Sequence, residues 1–213
     1  MTAGRNNAAS LSQHWCTPPK YVNAIRRFFG GRIHLDPCTN KWSIVRAEVE
    51  YQLPECDGLH LEWDYPSVFV NPPYGADRER GTTIRDWLRK CAETHRKYRT
   101  EILGLVPVAT NTRHWKFYVW GAAAGVSFLY DTRLRFLVEG REGGKGAPMS
   151  CAMIYWGSRY KDFEKGFIRF GAVVDVRHLH EKCIGAEEQP VLFDNNPIAS
   201  TAGPDVVAEP LAE

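Results

Sequence analysis

The sequence of 213 residues lacks any long uninterrupted apolar run. Its longest apolar stretches, such as Gly121–Tyr130, are much shorter than the roughly 20 residues that a membrane-spanning helix needs. The segment Met1–Ser10 carries one arginine with no apolar stretch after it, so we expect no secretory signal. Hydrophobic residues make up 44% and charged residues 24%, which excludes a mostly disordered or fibrous chain. We therefore expect a soluble, cytoplasmic protein.

The sequence also lacks cysteines at the close spacing that is typical of metal sites and redox motifs. Six cysteines are present, and no two of them form a C-x-x-C pair. In an intracellular chain this pattern indicates reduced, mostly buried thiols rather than a disulfide or zinc framework. One metal-like group, formed by His178, His180 and Cys183, has no fourth ligand nearby, and we interpret it as a polar chain end.

The net charge of +2 is unevenly distributed. Residues 181–213 hold seven acidic residues and one basic residue, a net of −6 that leaves +8 for residues 1–180. A basic body favours a polyanionic partner through contacts with phosphates. We predict a flexible N-terminus over residues 1–14, a catalytic domain over 15–177 and an acidic, flexible tail over 178–213.

Apolar spacing predicts strands that alternate with helices. The first helix is predicted to begin at Pro18-Pro19, because proline fits a first helical turn, and to end at Gly30-Gly31. Such alternation indicates an α/β fold with helices on both faces of the sheet. Further helices are predicted at residues 82–98 and 115–123, and strands at 32–36, 47–53, 67–70, 101–108, 125–130, 134–138 and, as the last strand, 151–155.

The strongest chemical signal is the tetrapeptide Asn71-Pro72-Pro73-Tyr74, which follows the predicted strand 67–70. Ligands of open α/β sheets bind beyond the carboxyl ends of strands, where these residues would lie. An asparagine oxygen and a backbone carbonyl can each accept one hydrogen of a planar exocyclic amine, which frees the nitrogen lone pair. A tyrosine ring offers a flat face for an unstacked base. The pattern favours transfer of an activated methyl group to an amine, without a cysteine or serine nucleophile.

At these residues the sequence resembles the short DNA N-6-adenine methyltransferases found mainly in bacteriophages and prophages. The resemblance covers roughly residues 12–158 and implies a Rossmann-like sheet, S-adenosylmethionine as cofactor and methylation of adenine in double-stranded DNA with base flipping. It also implies a bacterial or phage-infected host cell and roles such as restriction protection. The similar segments are Trp15-Cys16-Thr17-Pro18, Leu35-Asp36-Pro37, Asp57-Gly58-Leu59 with Trp63, Leu105-Val106-Pro107, Arg133-Leu134-Arg135-Phe136 and Ala147-Pro148.

The resemblance implies roles for particular residues. Asp36 would hold the methionyl ammonium of the cofactor, and Asp57 would accept a hydrogen bond from its adenine amine. Glu48 and Glu50 are both candidates for the ribose hydroxyls. The implied catalytic residues are Asn71, Pro72, Pro73 and Tyr74, and the implied cofactor-binding residues are Trp15, Thr17, Pro18, Asp36, Pro37 and Asp57.

Charge predicts the DNA-binding surface. Residues 77–99 hold eight Lys/Arg and four Asp/Glu, directly after the tetrapeptide. A helix of this charge is often only a solvated face, but its position favours phosphate contacts. Sequence specificity would come from a loop such as 139–147, or be slight. The predicted DNA-binding residues are Arg78, Arg80, Arg85, Arg133, Arg135 and Lys145.

Two other functions fit the same residues. Methyltransferases that act on cytosine amines or on protein glutamine use the same or a closely similar loop. A DNA-binding phage protein that keeps the fold without activity is also compatible, because Asp36-Pro37-Cys38-Thr39-Asn40 lacks the glycines usual at this cofactor turn.

The acidic tail contains Gln189-Pro190-Val191-Leu192-Phe193, which resembles the Q-x-x-L-F peptide that docks on the bacterial sliding clamp. Leu192 and Phe193 would fill an apolar pocket of the clamp. The alternative is that residues 191–193 pack back on the body of the protein.

Overall fold

The computed structural model describes residues 15–131, 134–142 and 149–181. Its centre is a seven-stranded sheet, and a smaller sheet of three short strands lies beside it. The strands are β1 (Trp15–Cys16), β2 (Leu35–Asp36), β3 (Val49–Glu50), β4 (Ser67–Val70), β5 (Glu101–Pro107), β6 (Gly125–Leu129), β7 (Leu137–Val138), β8 (Arg141–Glu142), β9 (Cys151–Trp156) and β10 (Gly171–Asp175).

The described residues contain a short 3-10 helix, Arg177–Leu179, and four α-helices. The α-helices are α1 (Pro19–Phe28), α2 (Ile84–Tyr98), α3 (Arg113–Trp115), which continues as π-helical turns over Lys116–Trp120, and α4 (Tyr160–Phe167). Helix α1 begins where predicted, with Pro18 in extended conformation at its cap and Pro19 in the first turn. Helix α2 begins after Thr83, whose backbone N–H donates to the carboxylate of Asp86 at 2.9 Å.

The central sheet has the order β10–β6–β9–β5–β4–β2–β3. Strands β3, β2, β4 and β5 are parallel, β9 is antiparallel to both β5 and β6, and β10 is antiparallel to β6. From β2 the chain passes to β3 on one side and then returns to the other side of β2 to form β4. The carboxyl ends of β2 and β4 therefore flank a topological switch point, where open α/β sheets bind ligands.

Helices cover both faces of this sheet, as predicted. On one face, Ile25 of α1 and Phe163 of α4 pack with Phe69 of β4. On the other face, Leu88 of α2 packs with Val68 of β4. Alternation along β4 sends successive side chains to opposite faces, so the whole strand is buried. The mixed α/β sheet is the Rossmann-like arrangement that the sequence predicts.

Several predicted elements need correction. The strand predicted over 134–138 is only Leu137–Val138, and it belongs to the small sheet, where it pairs with Trp15–Cys16. The helix predicted over 115–123 is instead Arg113–Trp115 followed by π-helical turns. Strand 151–155 is not the last, because α4 and β10 follow it, and β10 pairs with β6 along five residues.

The described part of the chain contains no helix that is both long and apolar enough to cross a membrane. None of its five cysteines forms a disulfide. Of the predicted tail, only residues 178–181 are described, and there the imidazole of His180 donates to the carbonyl of Ala123 at 2.7 Å. The predicted N-terminal segment 1–14 lies outside the described residues.

Candidate active site

The loop Asn71-Pro72-Pro73-Tyr74 directly follows β4, at the carboxyl end of the strand. The side-chain amide of Asn71 donates to the backbone carbonyl of Trp15 at 3.4 Å. Trp15 belongs to β1, so the small sheet fixes the asparagine from outside its own loop. The contact uses the donor of the amide and leaves its oxygen as an acceptor for a ligand.

The aromatic ring of Tyr74, in this loop, packs against two other aromatic rings. Trp15 stacks on Phe136 with ring centroids 5.1 Å apart and planes 6° from parallel. The ring of Tyr74 meets both of them edge-on, at 5.9 Å from Trp15 and 5.7 Å from Phe136. The Tyr74 hydroxyl donates to the carbonyl of Leu105 at 3.1 Å. Tyr74 is therefore fixed at both its ring and its hydroxyl.

A narrow cavity joins three of the segments that the sequence singled out. Trp15 and Thr17 line it from the N-terminal segment, Asp36 from the end of β2 and Asn71 from the loop after β4. The hydroxyl of Thr17 is buried without a hydrogen-bond partner among the described residues. Since buried hydroxyls are rarely left unpaired, a polar group that enters this cavity can form a hydrogen bond with the hydroxyl of Thr17. Pro18 lies next to it and accepts the first backbone hydrogen bonds of α1.

Asp36 is the charged group of this cavity, and it is 4% exposed. Burial raises the pKa of its carboxyl from 3.8 to about 7, and the nearby Glu50 also raises it, although the backbone N–H of Cys38 donates to the carboxyl at 3.1 Å. A buried carboxylate without a cation beside it favours its protonated form. The site therefore suits a ligand that brings a positive charge to Asp36.

The thiol of Cys38 lies between Asp36 and the backbone of Asn71. Burial, followed by the charge of Asp36, raises its pKa well above the ordinary value. The thiol consequently stays protonated at neutral pH. A protonated, buried thiol is a poor nucleophile, so its position beside the loop does not make it one.

A second cavity of about 320 Å³ adjoins the first and shares Cys38, Thr39 and Asn40 with it. Pro37 and Asp57 line this second cavity, as does Pro73 of the loop. Hereafter we refer to it as the large cavity, because it is the larger of these two adjoining cavities. Partial burial raises the pKa of Asp57, but hydrogen bonds from Arg80 and His60 outweigh that effect and hold the pKa below its ordinary value. Asp57 is therefore an ionised acceptor at one end of the large cavity.

The turn that directly follows Asp57 requires glycine at position 58. A Cβ on Gly58 would come within 1.8 Å of the carbonyl oxygen of Pro37. The indole N–H of Trp63, which is fully buried, donates to the carbonyl of Gly58 at 2.8 Å. Gly58 and Trp63 thus hold Asp57 next to the turn after Asp36, a structural role that the sequence resemblance did not specify.

The two glutamates proposed for the ribose lie at different ends of their strand. Glu50 pairs in register with Asp36 at the carboxyl end of β3. Glu48 lies before β3 and forms an ion pair with Arg32 at 3.2 Å. The register therefore favours Glu50 as the acidic residue near the ligand, although neither glutamate lines the large cavity.

The predicted DNA-binding residues have different surroundings. Arg78, Arg85 and Arg135 are exposed. Arg80 instead forms an ion pair with Asp57 at 2.6 Å, so the structure joins it to the large cavity. Arg133 and Lys145 lie outside the described residues, as does the clamp-like segment 189–193.

The comparison with protein families identifies the class of protein. The model of the DNA N-6-adenine-methyltransferase (Dam) family matches residues 5–184. The chain therefore belongs to the DNA N-6-adenine-methyltransferase (Dam) family, and this membership indicates a DNA adenine methyltransferase. A search of the curated proteins gives no match.

Proposed function

We propose that this protein transfers the methyl group of S-adenosylmethionine to the 6-amino group of an adenine that has been rotated out of double-stranded DNA. One observation carries the proposal. Asp36 ends β2 and Asn71 directly follows β4, two neighbouring parallel strands at the switch point of the sheet, and both residues line one cavity together with the unpaired hydroxyl of Thr17.

The residues of the two cavities fit the cofactor. Asp36 would accept hydrogen bonds from the methionyl ammonium of the cofactor. The hydroxyl of Thr17 would form a hydrogen bond with the amino-acid end of the same molecule. Pro37 and Asp57 would hold the adenosine in the large cavity, with the Asp57 carboxylate accepting from the adenine amine. Glu50 is the residue that we assign to the ribose hydroxyls. When bound, the cofactor supplies a methyl group already activated by a sulfonium.

Asn71 and the loop carbonyls act on the amine of the target base. The lone pair of that amine is delocalised into the ring, which makes the nitrogen a poor nucleophile. The Asn71 side-chain oxygen accepts one of its hydrogens, and the carbonyl of Pro72 accepts the other. Because the contact with Trp15 fixes the amide, this acceptor is preorganised, and preorganised groups are the most effective in catalysis. Pro73 stiffens the loop.

Tyr74 holds the extruded base through its ring. A base in the site would gain stacking and lose its contact with water, which offsets part of the cost of leaving the duplex. Trp15 and Phe136 hold the tyrosine ring in place. Orientation of amine and methyl group then contributes most of the rate, and Cys38 takes no covalent part.

The exposed arginines bind the phosphates of the duplex. Arg78 lies in the turn after the loop, Arg85 lies in the first turn of α2, and Arg135 lies next to Phe136. Their charges would contact phosphates on either side of the extruded base, and the predicted contacts of Arg133 and Lys145 would add to them. Binding should therefore weaken steeply as the salt concentration rises.

Methyl transfer from labelled S-adenosylmethionine to three substrates tests this function. Duplex DNA containing adenine should accept the label, while duplex DNA without adenine and a glutamine-containing protein should not. Label on cytosine or on protein would favour the alternative substrates. Failure to bind S-adenosylmethionine at all would favour a DNA-binding protein without activity.

Docking of residues 189–193 on a sliding clamp is a separate part of the proposal. A peptide spanning residues 186–197 should retain the clamp in a pull-down, and the same peptide with Leu192→Ala and Phe193→Ala should not. Equal retention by both peptides, or none by the unaltered one, would contradict it.

A further inference from the structure

Arg80 connects the large cavity to the segment that follows the loop Asn71-Pro72-Pro73-Tyr74. One nitrogen of its guanidinium donates to the carboxylate of Asp57 at 2.6 Å, and another lies 3.6 Å from the carboxylate of Asp77. The side chains of Arg80 and Asp57 are 21% and 22% exposed, so this ion pair is largely shielded from solvent. Shielded pairs are screened less by salt than surface pairs.

The turn that carries Arg80 is itself well defined. The backbones of Asp77 and Thr82 exchange two hydrogen bonds, at 2.9 and 3.1 Å. The backbone N–H of Arg80 donates to the Asp77 side chain at 3.0 Å, and Gly81 takes a positive φ of 65°, which closes the turn. A movement of Arg80 would therefore move the whole turn between Tyr74 and α2.

The two oxygens of Asp57 have different partners. Oδ1 accepts from Arg80 and from the backbone N–H of Leu59 at 3.0 Å. Oδ2 contacts only the imidazole of His60 among the described residues, at 2.8 Å, and that side chain is 80% exposed. A ligand in the large cavity can displace the exposed His60 from Oδ2 while Arg80 keeps its hold on Oδ1.

We propose that Arg80 couples occupancy of the large cavity to DNA binding by the loop that carries Asn71. This inference rests on the proposed function. A ligand that engages Asp57 would restrain the carboxylate to which Arg80 is bound, Arg80 would restrain the turn, and the turn would restrain the loop and the start of α2, which face the DNA in the proposed function. Arg80 is thus a positioning residue, and we do not assign it a phosphate contact.

The test measures DNA affinity with and without S-adenosylhomocysteine, using the full chain and a fluorescent duplex. In the unaltered protein the ligand should tighten DNA binding by at least about 5-fold, the lower end of typical coupling between sites. Arg80→Gln should bring this factor close to one, whatever its effect on the DNA affinity measured without the ligand. Arg80→Lys keeps a cation beside Asp57 and should retain part of the factor.

Arg78→Gln is the matched control, since Arg78 is exposed and lies on the same turn. It should weaken DNA binding equally with and without the ligand, so its coupling factor should stay that of the unaltered protein. Because coupling is reciprocal, the affinity for S-adenosylhomocysteine measured with and without DNA should show the same factor and the same loss in Arg80→Gln.

Three results would overturn the inference. The unaltered protein could bind both ligands without coupling, Arg80→Gln could keep the full factor, or Arg80→Gln could weaken DNA binding equally in both states as a phosphate contact would. Each of these leaves the proposed function intact. Failure of the unaltered protein to bind S-adenosylhomocysteine would overturn the proposed function and the inference together.

Discussion

The side-chain amide of Asn71 donates to the backbone carbonyl of Trp15, 56 positions earlier in the chain. The contact joins the loop after β4 to the small sheet, and it gives the asparagine one orientation. Trp15 itself is held by its stacking on Phe136. The small sheet therefore serves the active site by fixing the acceptor that the proposed chemistry needs.

Asn71→Ala should abolish methyl transfer and leave cofactor binding nearly unchanged. The substitution removes the acceptor of the target amine, and loss of one preorganised contact costs about 100- to 1,000-fold in rate. Single-turnover transfer and calorimetric binding of S-adenosylhomocysteine measure the two effects separately. Asn71→Asp is the control: it keeps an acceptor oxygen but cannot donate to Trp15, so it should retain more activity than Asn71→Ala.

Cys38→Ser should leave methyl transfer working. The Cys38 thiol is buried and protonated, and the proposed mechanism forms no covalent intermediate. A variant that folds and binds cofactor but no longer turns over would contradict the mechanism. Cys91→Ser, in the apolar face of α2 and away from the loop, serves as a control for burying a hydroxyl.

Asp36→Asn should raise thermal stability more at pH 8 than at pH 5. The folded-state pKa of about 7 lies above the ordinary value of 3.8, so the native chain loses stability as the pH rises from about 4 to 7. Asparagine carries no such charge and avoids this loss. Melting temperatures at both pH values measure the difference. A gain in melting temperature at pH 8 that is equal to or smaller than the gain at pH 5 would contradict the raised pKa of Asp36. The same variant should lose cofactor binding.

Gly58→Ala should destroy the large cavity. Its Cβ would lie 1.8 Å from the carbonyl oxygen of Pro37, so the backbone after Asp36 or the backbone at Asp57 must move. We expect loss of cofactor affinity and a lower melting temperature. Gly166→Ala is the matched control, because nothing lies within 4 Å of its Cβ in α4. Alanine there should stabilise the chain by about 0.5–1 kcal/mol, since glycine is costly inside a helix.

Tyr74→Phe should be milder than Tyr74→Ala. Phenylalanine keeps the ring against Trp15 and Phe136 and loses the hydrogen bonds of the hydroxyl with the carbonyl of Leu105 and the thiol of Cys151, each worth about 0.5–1.5 kcal/mol. Alanine also removes the stacking face, worth about 1–3 kcal/mol for a bound base. Methylation rates of the two variants decide between these effects, and equal loss in both would assign the function to the hydroxyl.

The position of the loop Asn71-Pro72-Pro73-Tyr74 was predictable from the sequence. A short β-branched and aromatic strand stopped by Asn-Pro-Pro is a strong local pattern, and the structure places β4 and the loop as predicted. The final helix and strand were not predictable from such a pattern. The residues of β10, Gly-Ala-Val-Val-Asp, do not alternate between apolar and polar types, and the strand is defined by its pairing with β6.

Polar contacts between residues far apart in the chain could not be predicted from the sequence either. The ion pair of Arg80 with Asp57 joins residues 23 positions apart, and it places an arginine that the sequence predicted to contact phosphate at the large cavity. Composition alone cannot distinguish these two uses of an arginine, because both need only a cation near the loop. The resemblance named Trp63 but gave it no role, whereas the structure shows it holding the carbonyl of Gly58.

The central claim is methylation of the adenine amine by the loop that carries Asn71. Mass spectrometry of nucleosides, from adenine-containing duplex DNA incubated with the protein and S-adenosylmethionine, tests it most directly. We expect N6-methyladenine from the unaltered protein and none above background from Asn71→Ala at equal cofactor occupancy. Methylated cytosine instead of adenine, or undiminished N6-methyladenine from Asn71→Ala, would contradict it.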